Sequence, residues 1–521
     1  MKPFLIKSIL HTVLLAAVVW MIIVVGLKGK PGNPDIAVLL TPSWQENGPF
    51  ELSPERGRFA LLYSIAEEHS VHFSVPVARF ATPDLGYKNG KFVSLFAPGI
   101  SYITLPGYLL GKFAGSGPLG AVAVIGFFAL LNVFLIRAVS VTIGASSNAG
   151  FLAGLIFLVA TPAFSYSGAL YQHHISTFLL LSALYAYLRI DGLRAIFLLG
   201  ILFAASIPVD YPNAFFLLPI LFLAAGDSIR SLPTGLMRIS ARMAGYALVL
   251  ALGVAVPLLI LGYYNIKTYG NVFQLGGTVT NVQSLDANGS PIAAAQADDR
   301  AKQDARTLGE RKRNALTFFK PRHLVDSLYI LLFSPDRGVI YYTPIILWGL
   351  VGIGLLAKRN PKLAQGLLFV IVINLLTYGM RSDAWGGWAF GSRYLIPAYA
   401  ILALGISLSI PSGKYRLLTG FLFLVLLGYS TGVNVLGAIT SNANPPQPEV
   451  LQLESLTGTQ QKYTYERNWD KLGTNEIKSV PYTFGLSAIL NGTTYYWIVF
   501  SGILSLVGGL SLWEIFRRKQ L

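Results

Sequence analysis

Residues 118–138 read PLGAVAVIGFFALLNVFLIRA. Only Asn132 and Arg137 interrupt the apolar character. As a helix rising about 1.5 Å per residue, this stretch reaches roughly 30 Å, the thickness of a bilayer's hydrocarbon core. It has no polar face of the kind a helix on a soluble domain keeps toward water. Further apolar runs lie at about 8–27, 148–165, 175–189, 195–209, 212–226, 243–265, 338–356, 364–380, 394–411, 417–437 and 495–516. With 118–138 they predict an all-α polytopic membrane protein of about twelve transmembrane helices.

Composition agrees. Of 521 residues, 53% are hydrophobic and 12% charged, where soluble domains carry roughly 25% charge. Mean hydropathy is +0.56. A disordered chain, a coiled coil and an ordinary cytosolic enzyme are excluded. There are 40 Lys and Arg against 24 Asp and Glu, a formal charge of +16. Much of the excess sits in short connectors between apolar runs, which points to membrane topology rather than to nucleic acid. Cysteine is absent, so disulfides, thiolate nucleophiles and Cys-ligated metals are excluded. The N-terminal Lys2, Lys7 and apolar run to Leu27 look like a secretion signal. Gly26-Leu27-Lys28 offers no small-residue cleavage site, and the run is expected to stay as the first helix.

The run 98–113 contains Pro106 and Lys112 and reaches only about 24 Å as a helix. It is read as lying along the membrane surface. That choice places Arg137, Arg189, Arg194, Arg230, Arg238, Arg242, Lys358, Arg359, Lys362, Lys414, Arg416 and the tail Arg517-Arg518-Lys519 on the cytoplasmic side with both termini. Lys28 and Lys30 run against the rule. Three long segments then face outward, at 28–117, 266–337 and 438–494. In the first, SPERGRFALLYSIAEEH (53–69) predicts a helix, with Ser53 as cap, Pro54 in the first turn and Glu55 near the positive end of the dipole. Phe59, Leu62, Tyr63 and Ala66 share one face, as in a helix at the interface. Residues 281–313 read as a polar loop or surface helix, and ANPPQP (443–448) as an extended turn. No 20–50-residue repeat is visible.

No Walker loop, HExxH, GxSxG or dinucleotide fingerprint occurs. The informative polar residues sit at the expected outer boundary. Glu55 either accepts a proton from an attacking hydroxyl or complements the helix dipole. Asp84, in ATPDLGYKNGKF, is a second acid or a turn-former. His173 and His174 open an apolar run about 100° apart on a helix, an unsuitable pair for one metal. Asp210 reads as a turn-former. Arg337 precedes an apolar run, and RSDAWGGWAFGSRYLIPAY gathers Asp383, Trp385, Trp388 and Arg393 beside Gly386, Gly387 and Gly391. An arginine opening an apolar span is costly without an anionic partner, and the glycines let backbone approach a ligand closely.

Four stretches in order resemble the bacterial GT-C membrane glycosyltransferases. They are ERGRFALLYSIAEE, DLGYKNGKFVSLFAPGISYITLPGYLLG, FSPDRGVIYYTPII and WGGWAFGSRYLIPAYAIL. The group includes protein O-mannosyltransferases and aminoarabinose transferases of lipid A. The resemblance covers most of 1–411, read as the catalytic membrane region; 412–521 adds C-terminal helices and the loop 438–494. It implies a polyprenyl-phosphate-linked sugar donor, outward-facing chemistry at a bacterial plasma membrane, inversion at the anomeric carbon and a carboxylate base in the first long loop. By position that base is Glu55, where relatives usually have Asp. Leu95-Phe96 stand where relatives often have Asp-Lys, so the second acid is absent or is Asp84.

The expectation is transfer of a sugar to a hydroxyl of a glycan, lipid or protein. Glu55 or Asp84 would be the base, and Arg393 with Arg337 would hold the donor phosphate. Arg58, Trp385, Trp388 and His174 are the candidates for substrate contact. The resemblance implies no cofactor and no obligatory metal. A secondary transporter and a non-catalytic envelope-assembly protein are the alternatives. The first would normally show internal repeats with a midplane site; the second would tolerate joint loss of Glu55, Asp84 and Arg393.

Overall fold

The computed structural model describes residues 3–45, 49–230, 236–293, 318–381 and 383–517. The chain is predominantly helical, and each apolar run of the sequence forms helix. Five helices are long and apolar enough to cross a membrane: Gly117–Thr142, Arg242–Tyr269, Pro361–Gly379, Arg416–Ile439 and Gly492–Arg517. Others, such as Ser147–Val159, Gly192–Ser206 and Ile396–Leu408, have 13 to 15 residues. Thirteen residues reach only about 20 Å, so the expected twelve full-length spans are not matched by twelve long helices. The chain is nonetheless an integral membrane protein with a helical, many-pass fold. Ser147–Val159 and Ile396–Leu408 are buried along nearly their whole length and form the middle of the bundle. The run 338–356 is broken in two. Helix Val339–Tyr342 stops at Thr343, a 3-10 turn Pro344–Trp348 follows, and helix resumes over Gly349–Arg359. Pro344 accounts for this, because it pushes the residue before it out of helical backbone.

Helix Ser53–Glu67 forms where expected, with two differences. Ser53 is not the cap but the first helical residue, and its hydroxyl donates to Asp84 Oδ2 at 2.6 Å. The Leu52 N–H is instead capped by Glu55 Oε2 at 3.3 Å. Residues Gly57 to Ser64 are all buried, so this is a packed helix rather than one lying half in lipid. The surface helix read at 98–113 is Gly99–Phe113. It buries Ile100, Ser101, Thr104 and Tyr108 and exposes Tyr102, Leu109, Leu110 and Phe113.

A four-stranded antiparallel sheet was not anticipated. It is built from β1 (Leu85–Lys88), β2 (Lys91–Ser94), β3 (Thr280–Leu285) and β4 (Pro291–Ala293), in the order β2-β1-β3-β4. Asn89 and Gly90 turn the β1-β2 hairpin with φ of 51° and 76°, the left-handed pair a two-residue hairpin needs. Pairing of Leu85 with Val282 and Tyr87 with Thr280 joins the first long segment to the second. The stretch 281–293 is therefore strand and turn, not the loop or surface helix expected; 294–313 lies outside the described residues. A bridge between Lys28 and Ser479 joins the first long segment to the third. All three therefore meet at one end of the bundle. Gly117 N–H donates to Asn33 Oδ1 at that end, and the 26-residue helix Gly117–Thr142 runs about 39 Å from there to the other. At its far end Ile143, Lys358, Arg359, Ser412 and Arg517 line one cavity. Of the basic residues assigned to a common side, Lys358, Arg359 and Arg517 thus meet at one cavity.

Candidate functional site

The segment 385–391 is shaped by Gly386, Gly387 and Gly391, whose φ values are 71°, 62° and 63°. L side chains rarely adopt this backbone. A Cβ at Gly391 would also come 2.8 Å from Pro162 Cγ. The loop delivers Arg393 to a buried position, 6% exposed. Its Nη2 donates to Gly386 O at 2.5 Å, and the guanidinium lies 4.6 Å above the Tyr171 ring and 5.5 Å from that of Tyr394. Nε and Nη1 meet no acceptor in full hydrogen-bond geometry, and the Tyr171 side chain is their nearest polar neighbour. His173 Nε2 is buried without a partner, and its ring stacks on that of Tyr171 at 5.6 Å and 14°. A buried polar group left unpaired costs about 1–3 kcal/mol. A buried cation beside these polar groups suits an acceptor-rich, negatively charged group.

Arg58 approaches Tyr171 as well, at 5.1 Å, and Phe96 at 4.6 Å. It donates to Pro54 O at 2.9 Å and to Gln172 Oε1 at 2.7 Å. Gln172 passes the chain on to Asp210 Oδ2 at 3.0 Å, which also accepts from Tyr378 Oη at 3.2 Å. Burial raises the Asp210 carboxyl above its usual range. Tyr378 stacks on Tyr394 at 4.2 Å and 5°, with Arg381 5.2 Å above Tyr394.

Glu55 reaches this group through the backbone. Its Oε1 accepts from the N–H of Leu170, the residue before Tyr171, at 3.1 Å. It is 1% exposed. Burial pushes its carboxyl up to about 7, with the Glu51 charge adding to the shift against the pull of Lys28. Glu51, just ahead of the helix, goes the other way. Burial alone would raise it, but Lys478 at 2.9 Å and Lys28 at 4.0 Å outweigh that and hold it at about 2. It also accepts from the Asn442 N–H at 2.7 Å. One carboxylate thus ties the first and third long segments together, with Lys28 in a buried ion pair. Asp84 is half-buried on the far side of the Ser53 hydroxyl.

The structure separates the remaining candidates. Arg337 is fully buried and bonds the carbonyls of Trp385, Asp336, Gly387 and Asn444 at 2.7 to 3.1 Å. Its fork holds the glycine loop and is not offered to a phosphate. His174 is likewise internal: Nε2 lies 2.8 Å from Ala163 O and Nδ1 3.4 Å from Asn132 Nδ2. Trp388 Nε1 donates to Glu449 Oε2 at 2.6 Å, with Arg467 5.6 Å from its ring, in contact with the third long segment. The Trp385 Nε1 is buried and unpartnered. Among the described residues no three metal-ligating carboxylates or histidines gather. Sequence reasoning missed Tyr171, Gln172, Tyr378, Arg381, Glu51 and the roles of Asp210 and Lys28. None stands in a motif; only folding brings them together.

No protein family model and no curated protein matches the sequence. Solved structures with a similar trace include ArnT from Cupriavidus metallidurans in the apo state, 12% identical over 97% of this chain and 75% of that one, with a TM-score of 0.45. The same protein bound to undecaprenyl phosphate gives 13%, 97%, 78% and 0.44. The Archaeoglobus fulgidus oligosaccharyltransferase AglB, with an inhibitory peptide and a dolichol-phosphate, gives 14%, 96%, 56% and 0.41. At 12–14% identity these likenesses concern the chain trace alone.

Proposed function

We propose that this protein transfers a sugar from a polyprenyl-phosphate donor to an acceptor hydroxyl, with inversion, at the outward end of the bundle where the three long segments meet. The observation that carries the reading is the buried Arg393 guanidinium, which gives one hydrogen bond to a backbone carbonyl and otherwise lies over the Tyr171 ring. The donor phosphate occupies this pocket and its lipid tail stays in the bilayer. Glu55 takes the proton of the acceptor hydroxyl. The oxygen then bonds to the anomeric carbon from the side opposite the phosphate, and the carbon–phosphate-oxygen bond breaks with its electron pair. The polyprenyl phosphate leaves with added charge, which Arg393 stabilises. Glu55 is preferred to Asp84 because it adjoins Tyr171 and its carboxyl sits near neutrality, where a general base works best.

Two measurements test the reading. Lipid extracts of a strain lacking the protein should accumulate an unconsumed polyprenyl-phosphate sugar and an acceptor short of that sugar. Purified protein carrying Arg393→Lys should insert and remain folded but transfer slowly. Unchanged lipids and acceptors in the deletion strain would remove the proposal.

A further inference from the structure

The cavity at the opposite end of the bundle, about 580 Å³, belongs to no part of the transfer site. It opens where Ile143 to Ser146, Leu355 to Arg359, Leu408, Ser412 and Arg517 come together. Its walls are of two kinds. Ile143, Leu355, Leu356 and Leu408 are apolar, and Lys358, Arg359 and Arg517 are cationic. Arg517 lies 3.4 Å from Glu514 and 4.8 Å from the Trp513 ring. Lys358 and Arg359 are exposed and form no ion pair among the described residues. Lys414 and Arg416 lie on the adjoining connector. Glu514 offsets part of the Arg517 charge, and the remaining lining charges are positive. Helix Gly117–Thr142 ends at the cavity rim, so the cavity lies at the level where the bilayer gives way to lipid headgroups.

We infer that this cavity binds the phosphate headgroup of an anionic phospholipid from the cytoplasmic leaflet. Lys358, Arg359 and Arg517 face the phosphate, and the leucines take the glycerol and first acyl carbons. Basic pockets between membrane helices on the cytoplasmic side suit such headgroups. A free anion uses the cations but gains nothing from the apolar wall.

The test uses the purified, delipidated full chain. Native mass spectrometry and thermal melting are followed with added phosphatidylglycerol, phosphatidylcholine or inorganic phosphate. Phosphatidylglycerol is expected to stay bound and to raise Tm, with phosphatidylcholine and phosphate doing neither. A Lys358→Gln/Arg359→Gln/Arg517→Gln variant should bind it about a hundredfold more weakly, at roughly fivefold per basic group near an anionic surface. Ser412→Trp fills the cavity and keeps every charge, and should also release the lipid, which guards against a triple variant that merely inserts badly. Equal binding of phosphatidylcholine, an equal Tm rise with phosphate alone, or full retention by Ser412→Trp would each overturn the assignment. Loss of sugar transfer is not the readout, so failure here leaves the transfer site untouched.

Discussion

Arg393 and Arg337 show how two arginines that look alike in sequence differ once their partners are known. Both follow small or turn-forming residues and precede an apolar run. Arg337 gives four hydrogen bonds to carbonyls, while Arg393 gives one. Arg337→Ala should therefore act on stability. Hydrogen bonds to a charged group are worth about 1.5–3 kcal/mol each, and a clear fall in Tm is expected. Arg393→Lys should leave Tm near the wild-type value and lower kcat about 10²-fold, because an ammonium cannot supply the planar pair of donors. A Tm loss for Arg393→Lys as large as that of Arg337→Ala would make Arg393 a structural arginine too. Glu55→Gln should lower transfer by about 10²–10⁴-fold, and Asp84→Asn by less. With a base at about 7, kcat/KM should rise with pH up to that point and then level off. Glu51→Gln removes the negative neighbour that raises Glu55, so this limb should move to lower pH.

At the scale of elements, what the sequence announced was periodicity and what it concealed was pairing. Apolar runs and the 53–67 helix are local signals, read from spacing alone. The break at Pro344 was equally local and was passed over. The β1-β2 hairpin did carry a signal, Asn-Gly between alternating residues, but it was absorbed into a turn-rich stretch. Its partner β3 lies nearly two hundred residues away, and no spacing announces such a pair. The site divides the same way. Glu55 and Arg393 are candidates that stand out in their motifs, whereas Tyr171, Asp210 and Glu51 acquire meaning only from residues distant in sequence. The β1-β3 pairing is open to direct test. In this cysteine-free chain, Tyr87→Cys with Thr280→Cys should form a crosslink under mild oxidation, because directly opposed residues of antiparallel strands lie about 4.5–5.5 Å apart, within disulfide reach. Tyr87→Cys with Ser412→Cys should not.

The whole molecule has two unlike ends, one of loops and sheet, the other of basic connectors around a cavity. That polarity makes a labelling prediction. Cysteine at Ser284, on β3, should react with an impermeant thiol reagent in intact cells, and cysteine at Ser412 should react only after the membrane is opened. The reverse pattern would place the proposed chemistry on the wrong side of the membrane for an externally facing transferase.

Glu51, just ahead of the helix, and Glu55, in its first turn, also give the outer end two separate acid thresholds. Ionised Glu51 contributes stability that is complete above its ordinary value of 4.5 and is lost only as pH falls toward about 2. Glu55 has the opposite sign: its raised value makes the folded state slightly less stable as pH climbs from 4.5 to about 7, and it carries its proton below that. Mild acid therefore reaches the reaction long before it reaches the scaffold. A cell envelope that sours to about pH 5 should find this protein dormant but undamaged, with full turnover returning on neutralisation and no refolding lag.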